Sequence, residues 1–301
     1  MPELPEVEIT VRQLKKEVIG LKITDVWTDW KRAIKHPADF EEFRKKIRGA
    51  GIQDIQRRGK FLLFYLSGKR LLLAHQKLTG HFLLGKWEYQ PNKKQKWQPL
   101  IKGPLEDRIN DYLHLIFFLS DGRQLALSDL RKFAWVALYE DKKAEELPEI
   151  EELGPEPLAN DFTPKVLEER LSRTKRPIKQ VLMDARVIAG IGNIYSDEIL
   201  FQAKIHPLTP AKSLSKKQIK TLYFSIRKIL KQAIRHHGAT ILSGAEEFRQ
   251  PSGQKGAYQN KLYVYRRTGQ PCLRCKTPIQ RIRVGQRSAH FCPRCQKEIS
   301  S

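Results

Sequence analysis

"KFLLFYLSGKRLLLAH", residues 60–75, decides how the first half of the chain folds. Two apolar runs of strand length flank a turn containing Ser67-Gly68, and this pattern predicts a β-hairpin. It recurs where "LHLIFFLS" and "RQLALS" flank Asp121-Gly122. From residue 22 to about 140 the texture is β with turn punctuation and no intervening helix, which points to a β-sandwich or barrel. Between the hairpins, "KWEYQPNKKQKWQPLIKGPLED" is polar and proline-interrupted and reads as a loop.

On the N-terminal side, Val7, Val11, Leu14 and Val18 fall at helical spacing, and Gly20 stands where a helix-terminating glycine would. Pro5 suits the first helical position, with Leu4 extended before it. No basic stretch followed by an apolar core marks a secretory signal. On the C-terminal side, "YEDKKAEELPEIEELGPEP" is acidic and proline-punctuated in an otherwise basic chain, and we take it as a linker. Helical periodicity then dominates in "TPKVLEERLSR", "PIKQVLMDAR", "NIYSDEILFQAKI" and "LSKKQIKTLYFSIRKILKQAIRHH". Gly238 ends the last of these. The loop that follows runs for about 20 residues, a length that in a compact domain is functional or disordered.

The chain has 301 residues, 56 basic and 33 acidic, for a net charge of +23. Such an excess repels itself without an anionic partner, and nucleic acid is the commonest one. No apolar run reaches the length of a membrane span.

All four cysteines lie in the last 30 residues. Cys272 and Cys275, sixteen residues, then Cys292 and Cys295 is the spacing of a tetrahedral zinc site. Four protein ligands leave no place for water, so one structural Zn2+ is expected. Two disulfides are the alternative, and the missing secretion signal weighs against them. Arg274, Arg281, Arg283, Arg287 and Arg294 around the cysteines suit a nucleic-acid clamp.

Three further stretches carry chemistry of their own. "AGIGNIYSDEIL" sets two glycines and Asn193 before a helix, a phosphate-binding arrangement or an ordinary helix–helix turn. "DLRKFAW" places Arg131 and Phe133 past a strand, as a duplex-entering wedge or as a basic strand end with Phe133 in the core. Lys60 alone reads as solvated. At the terminus, loss of Met1 would make Pro2 a secondary amine, and α-amino groups titrate near ~7.7–8. Its attack on a sugar C1′ gives an iminium ion, an electron sink for elimination. Glu3 could protonate a departing oxygen, and Glu6 could orient the amine or balance the iminium. Acidic residues in a first helical turn also have a bland explanation in the helix dipole.

"MPELPEVE", the lysine of "RRGKFLL", "DLRKF", "AGIGNIYSDE" and the four-cysteine finger occur in the order seen in bacterial formamidopyrimidine-DNA glycosylases, which the whole chain resembles. The resemblance implies an α+β multidomain fold: an N-terminal helix on a β-sandwich (1–140), a linker (141–160), a helix–two-turn–helix domain with a lesion loop (161–261) and a zinc finger (262–301). It implies excision of oxidised purines, such as 8-oxoguanine and formamidopyrimidines, from double-stranded DNA, then cleavage of abasic sites by β,δ-elimination. By the same resemblance Pro2 is the Schiff-base nucleophile, Glu3 the proton donor and Lys60 an aid to base excision, with Arg287 beside them on phosphate. Glu6 supports. His114, Arg131, Lys179 and Asn193 hold phosphates; Leu78, Arg131 and Phe133 fill the gap left by the flipped base; residues from about 239 to 258 close over that base. Leu78, in "HQKLTG", stands where the family usually has methionine, and the 85–111 stretch is longer. Leucine also suits the sister endonuclease VIII group, which prefers oxidised pyrimidines, and a non-catalytic lesion binder is a third reading. We expect a monomer in the bacterial cytoplasm, acting on the nucleoid.

Overall fold

The computed structural model describes residues 1–93, 96–241 and 247–298. Its contacts separate two units: Met1–Glu151 with His236–Gln259, and Glu152–Arg235 with Asn260–Ser301.

The first unit opens with α1 (Leu4–Val18). Val7, Val11, Leu14 and Val18 bury its inner face, as their spacing predicts. The helix begins at Leu4, with Glu3 as N-cap and Pro5 second, so Leu4 is helical and not extended. Burial of Leu4, which is 0% exposed, and the Glu6 carboxylate on the Glu3 N–H fix this first turn. Gly20, at φ 84°, turns the chain out.

Among the described residues, eleven strands and two more α-helices follow in this unit. They are β1 (Ile23–Thr28), β2 (Ile34–His36), α2 (Phe40–Ile47), β3 (Ile52–Arg58), β4 (Phe61–Leu66), β5 (Arg70–His75) and β6 (His81–Gly85). Then come β7 (Trp87–Tyr89), β8 (Trp97–Pro99), β9 (Leu113–Leu119), β10 (Gln124–Ser128), β11 (Trp135–Glu140) and the short α3 (Pro148–Glu151). One sheet has the order β1-β9-β10-β6 and the other β2-β11-β5-β4-β3; among the described residues only β2 and β11 run parallel. Side chains of both sheets, α1 and α2 share one apolar core. This is the predicted sandwich with its helix. The quoted hairpin pairs Leu66 with Arg70, and Gly68 and Lys69 take φ 70° and 54° in its loop.

Three expectations are corrected here. Helix α2 interrupts the β region: Asp39 caps it through the Glu42 N–H, and Phe43 and Ile47 pack inward. Within the stretch read as a polar loop, Trp87–Tyr89 pairs with Trp97–Pro99 as the β7–β8 ribbon, because Trp87 and Trp97 bury against Leu83 and Ile116. The acidic stretch is no open linker up to Glu151: Ala144, Leu147 and Ile150 are buried.

The second unit holds α4 (Pro164–Ser172), α5 (Ile178–Met183), α6 (Asn193–Ala203), α7 (Lys216–Arg235) and the hairpin β12 (Gln280–Val284)–β13 (Arg287–Phe291). Thr163 caps α4, and left-handed Lys204 ends α6. The finger packs within this unit: Glu198 of α6 accepts the N–H groups of Tyr263, Val264 and Tyr265 at 2.8–2.9 Å. Residues 236–241 and 247–259, expected with the helices, instead pack with the sandwich, where Glu6 and Asp107 bind them. Among the described residues no helix is long and apolar enough to cross a membrane.

Candidate active site and nucleic-acid interface

The chain start is buried. Pro2 lies inside, and Glu3 and Glu6 are 2% and 1% exposed. Carboxylates at such burial need strong partners. Glu6 Oε2 accepts the Glu3 N–H at 2.9 Å, and Oε1 accepts the Ala239 N–H at 2.8 Å. Gly238 makes this approach possible: at φ 74°, a Cβ there would sit 2.9 Å from Glu6 Oε1. Glu6 thus ties the first turn of α1 to a segment more than 200 positions away.

Lys60 occupies the two-residue turn between β3 and β4, after Gly59 at φ 57°. It is half-buried and belongs to a cationic group that sequence reasoning missed. Burial, then Lys77, Lys60 and Lys35, push the His75 ring down to about 3. The ring is clamped between Phe61 and Trp135, and its Nδ1 accepts the Lys77 N–H at 2.9 Å, so it is neutral. Burial and Lys35 also hold the Lys77 ammonium below the usual lysine range. Lys35 itself lies 4.2 Å from the centre of the Trp135 ring. Lys77, Lys60 and Lys35 thus concentrate positive charge around a neutral ring. The only signal in the sequence was "HQK" beside the wedge motif.

Leu78 is half-buried and Arg131 exposed. Phe133 is 48% exposed with Arg131 over its ring at 5.0 Å, so Phe133 is not a core residue. Both loops carry a lysine in the left-handed region, Lys77 at φ 53° and Lys132 at φ 55°. One buried carboxylate holds them. Asp129 accepts the N–H groups of Phe133 and Ala134 at 2.6 Å and of Arg131 at 3.2 Å, and the Thr79 hydroxyl donates to it. That hydroxyl in turn accepts the Arg131 N–H at 3.1 Å. Neither Asp129 nor Thr79 stood out in the sequence.

His114 on β9 is half-buried, with Nδ1 2.8 Å from Asp29 Oδ1. It borders a cavity of about 250 Å³ shared with Trp27, Trp97 and Arg108. Of the loop expected to cap a base, residues 242–246 lie outside the described residues. The flanking part is anchored: Thr240 Oγ1 donates to the Phe248 carbonyl and accepts the Gly256 N–H, both at 2.8 Å.

In the second unit Asn193 opens α6 and is half-buried, and Arg287 stands exposed at the start of β13 with Arg281 and Arg283 around a cavity of about 460 Å³. Lys179 is a correction. Its side chain is 1% exposed, and Nζ bonds Asp197 Oδ1 at 2.5 Å and Ser196 Oγ at 3.1 Å. Asp197 also takes the backbone and ring nitrogens of His290 at 2.9 Å. Lys179 therefore fastens α5 to α6 and the finger, because a buried ammonium spends its donors on the nearest carboxylate, and it offers no exposed grip on phosphate.

The four cysteine sulfurs lie within 4.8 Å of one another, with pairs at 3.4, 3.5 and 4.0 Å. Tetrahedral zinc with bonds of about 2.3 Å sets its sulfurs about 3.8 Å apart, so Cys272, Cys275, Cys292 and Cys295 fit the ion.

Three family models match the chain. "Formamidopyrimidine-DNA glycosylase N-terminal domain" matches residues 1–136, "Formamidopyrimidine-DNA glycosylase H2TH domain" residues 153–244, and "Zinc finger found in FPG and IleRS" residues 269–297. Formamidopyrimidine-DNA glycosylase of Geobacillus kaustophilus is 39% identical over 297 residues, 99% of this chain and 100% of the relative. That of Bacillus subtilis is 41% identical, over 98% and 99%. Among solved structures, Lactococcus lactis Fpg in complex with abasic-site DNA is 34% identical at a TM-score of 0.83, covering 98% of this chain and 100% of that one. The same protein with DNA containing Fapy-dG superposes equally well, at 0.83.

Proposed function

The chain belongs to the formamidopyrimidine-DNA glycosylase family, and from that premise we propose how its residues carry out the family's reaction. It is a bifunctional DNA glycosylase and abasic-site lyase acting on oxidised purines in double-stranded DNA, with a four-cysteine zinc finger. The observation that carries our assignment of roles is the buried chain start, with two carboxylates beside Pro2 and one of them bonded across the fold to Ala239.

Removal of Met1 frees the Pro2 nitrogen. The amine attacks C1′ of the damaged nucleoside, the bond from C1′ to the base breaks, and the base leaves with that electron pair and a proton. Glu3 protonates the ring oxygen as the C1′–O bond opens, leaving the iminium. Loss of a C2′ proton then expels the 3′-phosphate, and a second elimination expels the 5′-phosphate. A buried base cannot be reached in the duplex, so extrusion comes first and costs a few kcal/mol. Leu78, Arg131 and Phe133 fill the gap. Lys60, with Lys35 and Lys77 near it, neutralises phosphate close to the lesion. Arg287, Asn193 and His114 grip the backbone. Zinc, when bound by its four thiolates, holds the β12–β13 hairpin that presents Arg287. The location we propose is the bacterial cytoplasm, on the nucleoid, where a DNA substrate lies.

Borohydride tests the assignment. It reduces the iminium to a stable amine, so the processed protein should become covalently joined to DNA carrying 8-oxoguanine or an abasic site. An uncleaved N-terminal tag should abolish the adduct; efficient trapping by the tagged protein would refute Pro2 as nucleophile. Leu78 is the specific reason to include an oxidised thymine. Faster release of that base than of 8-oxoguanine would move the protein to the pyrimidine-preferring branch.

A further inference from the structure

The long stretch between β6 and β9 has a structural task. Arg249 is buried, and its Nη2 donates at 2.7 Å both to Asp107 Oδ2 in this stretch and to Glu247 Oε2. Gly253, at φ 82°, lies so close that a Cβ would stand 2.7 Å from the Pro104 carbonyl carbon. The Leu84 N–H donates to the Pro251 carbonyl at 2.8 Å. The turn at 104–106 is itself tied down: Asn110, 1% exposed, donates to the Pro104 carbonyl at 2.8 Å and bonds His81 Nε2 at 2.9 Å. From the far end of this arm a chain of bonds runs inward. Thr240 joins Phe248 to Gly256, Ala239 donates to Glu6, and Glu6 holds the Glu3 N–H.

We propose that residues 104–110 brace the arm 247–256, and that Asp107, by pairing with Arg249, is a positioning residue for base excision. This rests on the function assigned above. Without Asp107 the buried guanidinium keeps, among the described residues, one carboxylate partner instead of two. The arm then loosens, and so does the Ala239 N–H that aligns Glu6 and the chain start. Base excision demands that alignment, since the amine must meet C1′ of an intact nucleoside, and small misplacements are costly there. A preformed abasic site offers a reactive aldehyde and demands less.

Wild type, Asp107→Ala and Asp107→Glu are compared in single turnovers on an 8-oxoguanine:cytosine duplex and on a preformed abasic duplex. Amide exchange is followed at Ala239, Gly253 and Gly256. Asp107 is partly exposed, so its replacement leaves the core intact. Asp107→Ala should release 8-oxoguanine roughly tenfold more slowly, within the range small misalignments produce, and cleave abasic DNA nearly as well as wild type. The three amides should exchange faster, and Asp107→Glu should restore most of both. Equal loss on the two substrates, or unchanged rates and protection, would overturn the brace. If wild type released no oxidised purine, the functional reading would fall instead, and exchange alone would decide: faster exchange supports the brace and unchanged protection refutes it.

Discussion

Replacing Lys179 with methionine separates two meanings of a basic residue. The substitution keeps the stem and removes the ammonium that lies 2.5 Å from Asp197 in a pair whose side chains are each 1% exposed. Asp197 would retain the two His290 nitrogens but lose its only ammonium partner among the described residues. Breaking a buried pair by deleting one partner costs about 3–5 kcal/mol. At about 2–4 °C per kcal/mol this lowers the melting midpoint of the helical unit by roughly 6–20 °C. The assay combines thermal denaturation of the zinc-loaded protein with DNA affinity measured across a salt series well below that midpoint. A residue that grips no phosphate leaves the salt slope unchanged, whereas one lost contact makes it shallower by about 0.9. Arg287→Ala is the exposed counterpart, with stability unchanged and the slope shallower by about one unit or less. Lys179→Met with wild-type stability and a slope shallower by one unit would refute the reasoning.

The remaining predictions concern the wedge, the metal and a titration. Thr79→Val removes the hydroxyl that links the two wedge loops through Asp129, at about 1–3 kcal/mol; if about 1.4 kcal/mol of that is lost from the extruded state, single-turnover release of 8-oxoguanine opposite cytosine falls tenfold. Cleavage of a preformed abasic site should be spared and Thr79→Ser should behave as wild type, so equal loss on both substrates would contradict the coupling. Cys292→Ser or strong chelation should weaken DNA binding at least about tenfold, as lost phosphate contacts do, before circular dichroism registers unfolding of the sandwich; full lesion binding without zinc would count against a structural metal. His75, held neutral with its pKa at about 3, binds a proton in the unfolded chain below its ordinary 6.5 but not in the folded one. Stability is therefore unaffected above pH 6.5 and is lost as pH falls from there toward 3. His75→Gln should flatten that part of the profile, and an NMR titration showing the ring protonating near 6.5 would remove its cause.

Much of this protein is written in local pattern. The "KFLLFYL…RLLLAH" hairpin, the α1 stripe and the cysteine spacing each follow from residues a few positions apart, because strand alternation, helical periodicity and thiolate geometry are short-range constraints. The chemistry proposed for the chain start rests on the same short range: a small second residue, a secondary amine and two nearby carboxylates. Where the pattern was brief it misled. Helix α2 spans only eight residues, and the β7–β8 ribbon has three residues per strand, so both depend on burial of Phe43, Trp87 and Trp97 against distant strands.

What only the tertiary structure decided is which charges face solvent and which are consumed inside. Lys179 and Arg287 are alike as basic residues in a basic chain, yet Asp197 buries one and the other stays exposed. Asp129 stands 50 positions from the Thr79 it binds, Arg249 stands 142 from Asp107, and Ala239 stands 233 from Glu6. No local spacing encodes such pairs. A buried polar group must find a partner wherever the fold brings one, and that is how the chain start, the wedge loops and the arm came to be held by residues that the sequence left unremarked.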